Sequence, residues 1–242
     1  MNRDYSKYIA RPGYQIPAGY DQSRFPKQAA TADVVILAFF ERKLRVLLIR
    51  RKRMPFQDYW AIPGGFVEMD EDLPDAARRE LFEETGLRKL KLIEFGAFGH
   101  PRRDPRGRTI TVAYLALVRN EKVKPRAGDD AAAVGWFPAH KPPELAFDHE
   151  LVLKSALLKL KELAVLTPSL FELLPQIFSE QDLAQLCAEV FGNKLNPASL
   201  YRTLLKAGAI RPKCKSGHVL VRKKFRPGLF LQSLGTATNY RL

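Results

Sequence analysis

The chain has 242 residues, 46% hydrophobic and 27% charged, with 15 Gly and 17 Pro, a composition that suits one or two soluble globular domains. Its longest apolar run, VVILAFF at Val34–Phe40, is far too short to cross a bilayer, and two distant cysteines, Cys187 and Cys214, make no disulfide framework. The net charge of +14 is uneven, with 26 Lys+Arg against 21 Asp+Glu in residues 1–150 and 14 against 5 in residues 151–242.

Residues 1–30 are polar and rich in Tyr and Pro, and read as an irregular N-terminal arm. ADVVILAFF and LRVLLIRR, separated by ERK, predict two strands joined by a tight connection. Trp60–Gly65 (WAIPGG) breaks the pattern as a rigid turn. A short helix follows over about Pro74–Thr85, with Pro74 in its first turn and Gly86 suited to a left-handed cap. KLIEFGAF and RTITVAYLALV predict further strands, and VGWFP one more. Asp148 is then expected to cap the helix HELVLKSALLKLKEL, whose apolar face includes Leu151 and Leu158. This part is a mixed α/β domain. Beyond Thr167 the style changes to short helices: Ser179 and Asp182 form a capping box, Asn196-Pro197 opens a second helix, and Gly208 closes it. CKSGHVLVRKKF reads as strand, Ser-Gly turn and strand. Two helices followed by a hairpin are the layout of a winged helix.

Between Gly64 and Leu87 the otherwise basic chain carries eight carboxylates. Glu80, Glu83 and Glu84 stand at i, i+3 and i+4, so they project from one helical face and repel one another. A hard divalent cation, Mg²⁺ or Mn²⁺, answers that repulsion through oxygen ligands. Ala77 and Leu81 are left to pack the opposite side on the sheet, and Arg79 is placed to fix a carboxylate through its fork of donors.

The spacing Gly65, Glu71, Arg79-Glu80-Leu81, Glu83-Glu84, Gly86-Leu87 resembles a complete Nudix box, with every defining position filled. The resemblance implies an α/β/α sandwich that hydrolyses nucleoside diphosphates linked to another moiety. It makes Glu80, Glu83 and Glu84 metal ligands and Gly65 a backbone ligand, while Arg79 and Glu71 organise the site. In that family divalent ions neutralise the diphosphate and activate a water. The base that takes the proton has several candidates: Asp129 and Asp130 in RAGDDAAAVGWF, or Glu83 or Glu84. Related sequences often carry a Glu shortly before the Trp-Phe pair, where this chain has Ala133.

Pro101 and the segment HPRRDPRGRTITVAYLAL resemble the ADP-ribose pyrophosphatase branch. Arg102, Arg103, Arg106 and Arg108 would there meet pyrophosphate or ribose oxygens, or else form a solvated basic loop. Phe66, with Phe56 and Trp60, is a candidate adenine stacker, although core packing is the commoner fate of such rings.

In the C-terminal part, the helix from Pro197 to Ala207 places Leu200 and Leu204 on a core face and Ser199, Arg202, Thr203 and Lys206 on another, in the register of a recognition helix. Lys213, Lys215, His218, Arg222, Lys223, Lys224 and Arg226 would make the wing basic, with His218 read as a solvent-facing turn residue. The +9 of this segment points to a polyanion or to solubility alone. A Nudix domain followed by a winged helix, with LAFDHELVL and TPSLFELLP between them, resembles the Nudix-related transcriptional regulators of NAD metabolism. The resemblance implies residues 31–162 as the Nudix domain, 163–230 as the winged-helix DNA-binding domain and 231–242 as a tail. It also implies ADP-ribose or a related nucleotide and double-stranded DNA as partners, and a homodimer. The expected setting is cytoplasmic, with no membrane association.

Overall fold

The computed structural model describes residues 27–119, 123–128, 131–192, 196–214, 217–220 and 225–226. The candidate bases Asp129 and Asp130, the wing residues Lys215, Arg222, Lys223 and Lys224, residues 1–26 of the arm and the tail lie outside the described residues.

Strands β1 (Ala29–Phe40), β2 (Lys43–Arg51), β3 (Trp60–Ala61), β4 (Gly64–Phe66), β5 (Ile93–Phe98), β6 (Thr109–Val118) and β7 (Ala131–Pro138) form one sheet. Its main path runs β3-β2-β1-β6-β5, with β4 paired to β1 and β7 paired to β2. The β1–β6 ladder is parallel, from Ala29↔Thr109 to Ala38↔Val118, and its neighbours are antiparallel. WAIPGG, expected as a turn, instead supplies two short strands around Pro63. Thr31, Ala32 and Asp33 of β1 pair with Phe66, Gly65 and Gly64, so backbone pairing overrides the breaker residues.

Both faces of β1 are covered, which is why its apolar residues run consecutively rather than alternating with polar ones. Val34, Ile36 and Ala38 face helix α1 (Leu73–Thr85), packing with Ala76, Ala77 and Leu81. Val35, Leu37 and Phe39 face helix α2 (His149–Leu166), packing with Val152, Leu153, Ala156 and Leu160. On α2 the expected apolar face is corrected: Leu151 and Leu158 are 55% and 64% exposed. Several aliphatic registers compete along HELVLKSALLKL, and the one holding Val152, Ala156 and Leu160 fits the sheet more closely. Asp148 occupies the N-cap position of α2, yet its side chain makes no capping bond.

After α2, a 3₁₀ turn (Pro168–Glu172) leads to α3 (Glu180–Phe191), α4 (Pro197–Lys206) and the hairpin β8 (Ile210–Cys214) and β9 (Gly217–Leu220). Ser179 and Asp182 make the reciprocal capping box, and Asn196 caps α4 through the Ser199 N–H at 3.0 Å. Such caps contribute about 1 kcal/mol each. Leu183, Leu186, Cys187 and Val190 of α3 and Leu200 and Leu204 of α4 join the core that begins at the α2 face of the sheet, so one apolar mass spans both parts. Polar contacts reinforce the seam: Glu189 on α3 accepts from the Leu44 N–H at 2.9 Å and meets Lys43 at 3.3 Å, and Arg42 donates to Gln181 at 2.9 Å.

Candidate active site

Helix α1 starts at Asp72, whose carboxylate accepts from the Leu73 N–H, and ends at Gly86 in the left-handed region, φ 70°. Its Ala76, Ala77 and Leu81 lie against β1, which turns Glu80 and Glu84 toward β4. The Gly64 N–H donates to Glu84 Oε2 at 2.8 Å. A Cβ at Gly65 would overlap the Glu80 carboxylate, so glycine is what allows this approach.

Arg79 binds Glu71 with both arms of its fork, at 2.5 and 3.1 Å, and also donates to Glu80 at 2.8 Å, Glu83 at 3.2 Å and the Phe66 carbonyl at 2.9 Å. These bonds hold the Glu71 carboxyl below its ordinary range. Glu84 is only 7% exposed, and burial, with the Glu80 and Asp33 charges beside it, pushes its carboxyl up to about 8. Burial likewise raises Glu80. Glu83 turns outward and is half-exposed.

A buried and a largely covered carboxylate, Glu84 and Glu80, one helical turn apart against a glycine backbone, leave more negative charge than Arg79 and the Gly64 N–H balance. That donor set is all oxygen, the chemistry a hard divalent cation prefers, although among the described residues no three carboxylates stand grouped closely enough to hold one. The structure therefore brings together Gly65, Glu80, Glu84, Arg79 and Glu71, with Glu83 at the rim.

Beside this cluster opens a cavity of ≈ 80 Å³ lined by Asp33, Arg51, Gly64, Gly65, Phe66, Arg103, Arg106, Phe147 and His149, among others. A larger cavity, ≈ 610 Å³, lies at the far end of α1 around Arg88, Lys89 and Lys124, away from Glu80 and Glu84. Phe66 is half-exposed at the pocket mouth with the Arg106 guanidinium 4.7 Å over its ring, and Arg106 is in turn braced by Asp104 at 2.7 Å. Arg103, expected to face substrate oxygens, is buried and spends its fork on Asp148, at 2.7 and 2.9 Å. This pairing also explains why Asp148 does not cap α2. Arg108 donates to the Gly99 carbonyl. Phe56 and Trp60 are absorbed by packing, 4.8 Å from Phe147 and 4.5 Å from Phe137.

Sequence reasoning missed Asp33, Arg51, Phe147 and His149. A lone aspartate opening the apolar run DVVILAFF was the available signal for the first. Asp33 is 5% exposed, and burial raises its carboxyl to about 6 against the opposing pull of Thr111 and Arg103. Burial, aided by Arg103, lowers the His149 imidazole to about 3, so the ring is neutral.

In the C-terminal part, Arg202 and Lys206 on α4 are exposed and Ser199 and Thr203 half-buried, opposite the fully buried Leu200 and Leu204. Lys213 is exposed on β8. His218, expected to face solvent in a turn, instead lies in β9. Its Nε2 is 2.8 Å from the Tyr201 hydroxyl of α4, and its backbone pairs with Phe178.

The NUDIX domain family matches residues 29–156. The chain is 31% identical to the ADPR responsive transcriptional repressor NtrR of Acinetobacter baylyi over 80% of this chain and 78% of that one. It is 42% identical to the ADP-ribose pyrophosphatase of Methanocaldococcus jannaschii over 50% of this chain and 70% of that one. Among solved structures, a MutT/nudix family protein from Enterococcus faecalis superposes with a TM-score of 0.71 at 26% identity, covering 89% of this chain and 96% of that one.

Proposed function

The chain belongs to the Nudix family, and on that premise we propose that it is a divalent-cation-dependent pyrophosphohydrolase acting on ADP-ribose, joined to a DNA-binding unit. The observation that carries this reading is the intact acidic face of α1, with Glu84 buried and Glu80 largely covered against Gly64 and Gly65. Glu80, Glu83, Glu84 and the Gly65 carbonyl are the candidate ligands of Mg²⁺ or Mn²⁺. A cation held there supplies charge neutralisation of the diphosphate and a water of lowered pKa for attack on phosphorus. Arg79 keeps Glu80 in place through its tie to Glu71, and the Gly64 N–H does the same for Glu84. Glu83, outward, half-exposed and bonded to Arg79 at 3.2 Å, is a candidate to accept the proton, and Asp130 is another in our assignment. Phe66 and Arg106 offer a stacking surface with a positive face to a nucleotide at the pocket mouth.

We assign residues 31–162 to the hydrolytic unit and 163–230 to a winged-helix unit, with 1–30 an arm and 231–242 a tail. Ser199, Arg202, Thr203 and Lys206 would meet double-stranded DNA, and Lys213 and Lys215 its phosphates. A homodimer matched to a two-fold operator is the expected assembly, in a cytoplasmic setting. A second reading, an ADP-ribose-sensing repressor with little hydrolysis, is favoured by the 80% of the chain aligned with a repressor that responds to ADPR. The deciding experiment is product analysis with ADP-ribose. AMP and ribose 5-phosphate released with Mg²⁺, and not with chelator, establish the hydrolase. Stoichiometric binding without product leaves the sensor.

A further inference from the structure

The pocket beside the carboxylates ends in a polar pair that the hydrolytic reading does not use. Asp33 is the odd-numbered neighbour of Val35 and Leu37, so it shares their side of β1 and meets the start of α2, where His149 stands first in the helix. The carboxylate is buried, and its Oδ2 has no hydrogen-bond partner. A buried, unpartnered carboxylate oxygen is costly, so its retention asks for a ligand.

Two groups approach Oδ2 beyond hydrogen-bond length: Arg103 Nη2, which forms an ion pair with it at 3.6 Å, and His149 Nε2 at 3.9 Å. Arg103 already forks onto Asp148. His149 is oriented from behind, because its Nδ1 accepts the Ile62 N–H at 2.9 Å. A neutral ring that accepts at Nδ1 carries its proton on Nε2, the nitrogen that lies 3.9 Å from Asp33 Oδ2. The gap is thus bounded by one acceptor, Asp33 Oδ2, and by donors of His149 and Arg103, at separations that a single oxygen set to one side can bridge.

Only a group that donates and accepts at once satisfies such a pair, and among the parts of a nucleotide that is a sugar hydroxyl. A phosphate oxygen would face the Asp33 charge, and an amine would leave Nε2–H without an acceptor. We propose that Asp33 and His149 are specificity residues that read one ribose hydroxyl of the diphosphate-linked ligand. The inference rests on the ADP-ribose reading above. It selects for unmodified ribose and against deoxyribose or a phosphorylated hydroxyl at that position.

The test compares ADP-ribose with two kinds of deoxy analogue, one lacking the 2′- or the 3′-hydroxyl of the adenosine ribose and one lacking the 2′- or the 3′-hydroxyl of the terminal ribose. Each is measured on the full chain by kcat/KM with Mg²⁺ and, independently, by calorimetric binding in chelator. The wild-type chain is expected to disfavour one analogue by roughly 10- to 100-fold, the range for a hydrogen bond to a charged group, and so to identify which ribose is read. Asp33→Asn, close in shape, should weaken ADP-ribose itself and shrink that preference to roughly 3-fold or less. His149→Asn, which keeps an acceptor for the Ile62 N–H but removes Nε2–H, should do the same. ADP-ribose bound or cleaved with no preference against any of these analogues would overturn the inference and leave the hydrolase reading standing, the gap then holding only structural water. ADP-ribose neither bound nor cleaved would overturn both. Because the analogue comparison uses the wild-type chain, a variant that fails to fold does not protect the proposal.

Discussion

Glu80 and Glu84 on α1, and Arg202 and Lys206 on α4, are both like-charged pairs four residues apart on a helix, yet the fold treats them oppositely. On α1 the pair is drawn inward against a glycine strand, and burial pushes Glu84 up to about 8. On α4 the pair stands in solvent while Leu200 and Leu204 carry the packing. In water such a pair costs a few tenths of a kcal/mol, whereas buried charge without compensation costs several. The inward pair suits a small cation that enters the site; under the proposed reading the outward pair meets a large anion at the surface.

The comparison can be broken in four places, taken from the largest expected effect downward. Glu84→Gln should lower Mg²⁺-dependent kcat with ADP-ribose by about 10²- to 10⁴-fold while leaving a gel shift on upstream DNA unchanged. Loss of the shift as well would mean that the two pairs are not independent. Arg202→Ala with Lys206→Ala should abolish that shift at moderate salt, and any residual affinity should show a salt slope shallower by about two, one per lost phosphate contact. Hydrolysis should stay within about 2-fold. Arg79→Lys keeps the charge but loses the two-armed grip on Glu71, and a roughly 10- to 100-fold fall in Mg²⁺ affinity is expected by metal titration. Glu189→Gln sharpens the comparison at the seam between the two regions, where it weakens the acceptor for the Leu44 N–H. A loss of about 1 kcal/mol in urea unfolding is expected, with no change in kcat.

The α1 site was legible because it is local. Pro74, the three glutamates and Gly86 lie within one short helix, and their spacing alone sets the face they share. The α3 and α4 caps were legible for the same reason. Arg103 was not, because its partner Asp148 is 45 residues away and its choice between ligand and carboxylate is made by tertiary packing. The Asp33–His149 gap joins the first strand to the second long helix, a pairing that no local pattern encodes. Leu151 and Leu158 show a different limit: where aliphatic side chains recur on several sides of a helix, periodicity does not choose which side is buried. His218 shows a third, since a Ser-Gly turn signal says where a hairpin bends and nothing of what its side chains reach.

The parallel ladder from Ala29↔Thr109 to Ala38↔Val118 has a consequence for how the chain comes into being. A ribosome finishes β1 long before it reaches β6. Until then VVILAFF, an apolar, uncharged stretch without proline, has backbone partners only on its β2 and β4 side and one open edge. The newborn chain must shelter that edge until residue 118 has emerged, so slowing synthesis or raising temperature in that interval should favour aggregation over folding.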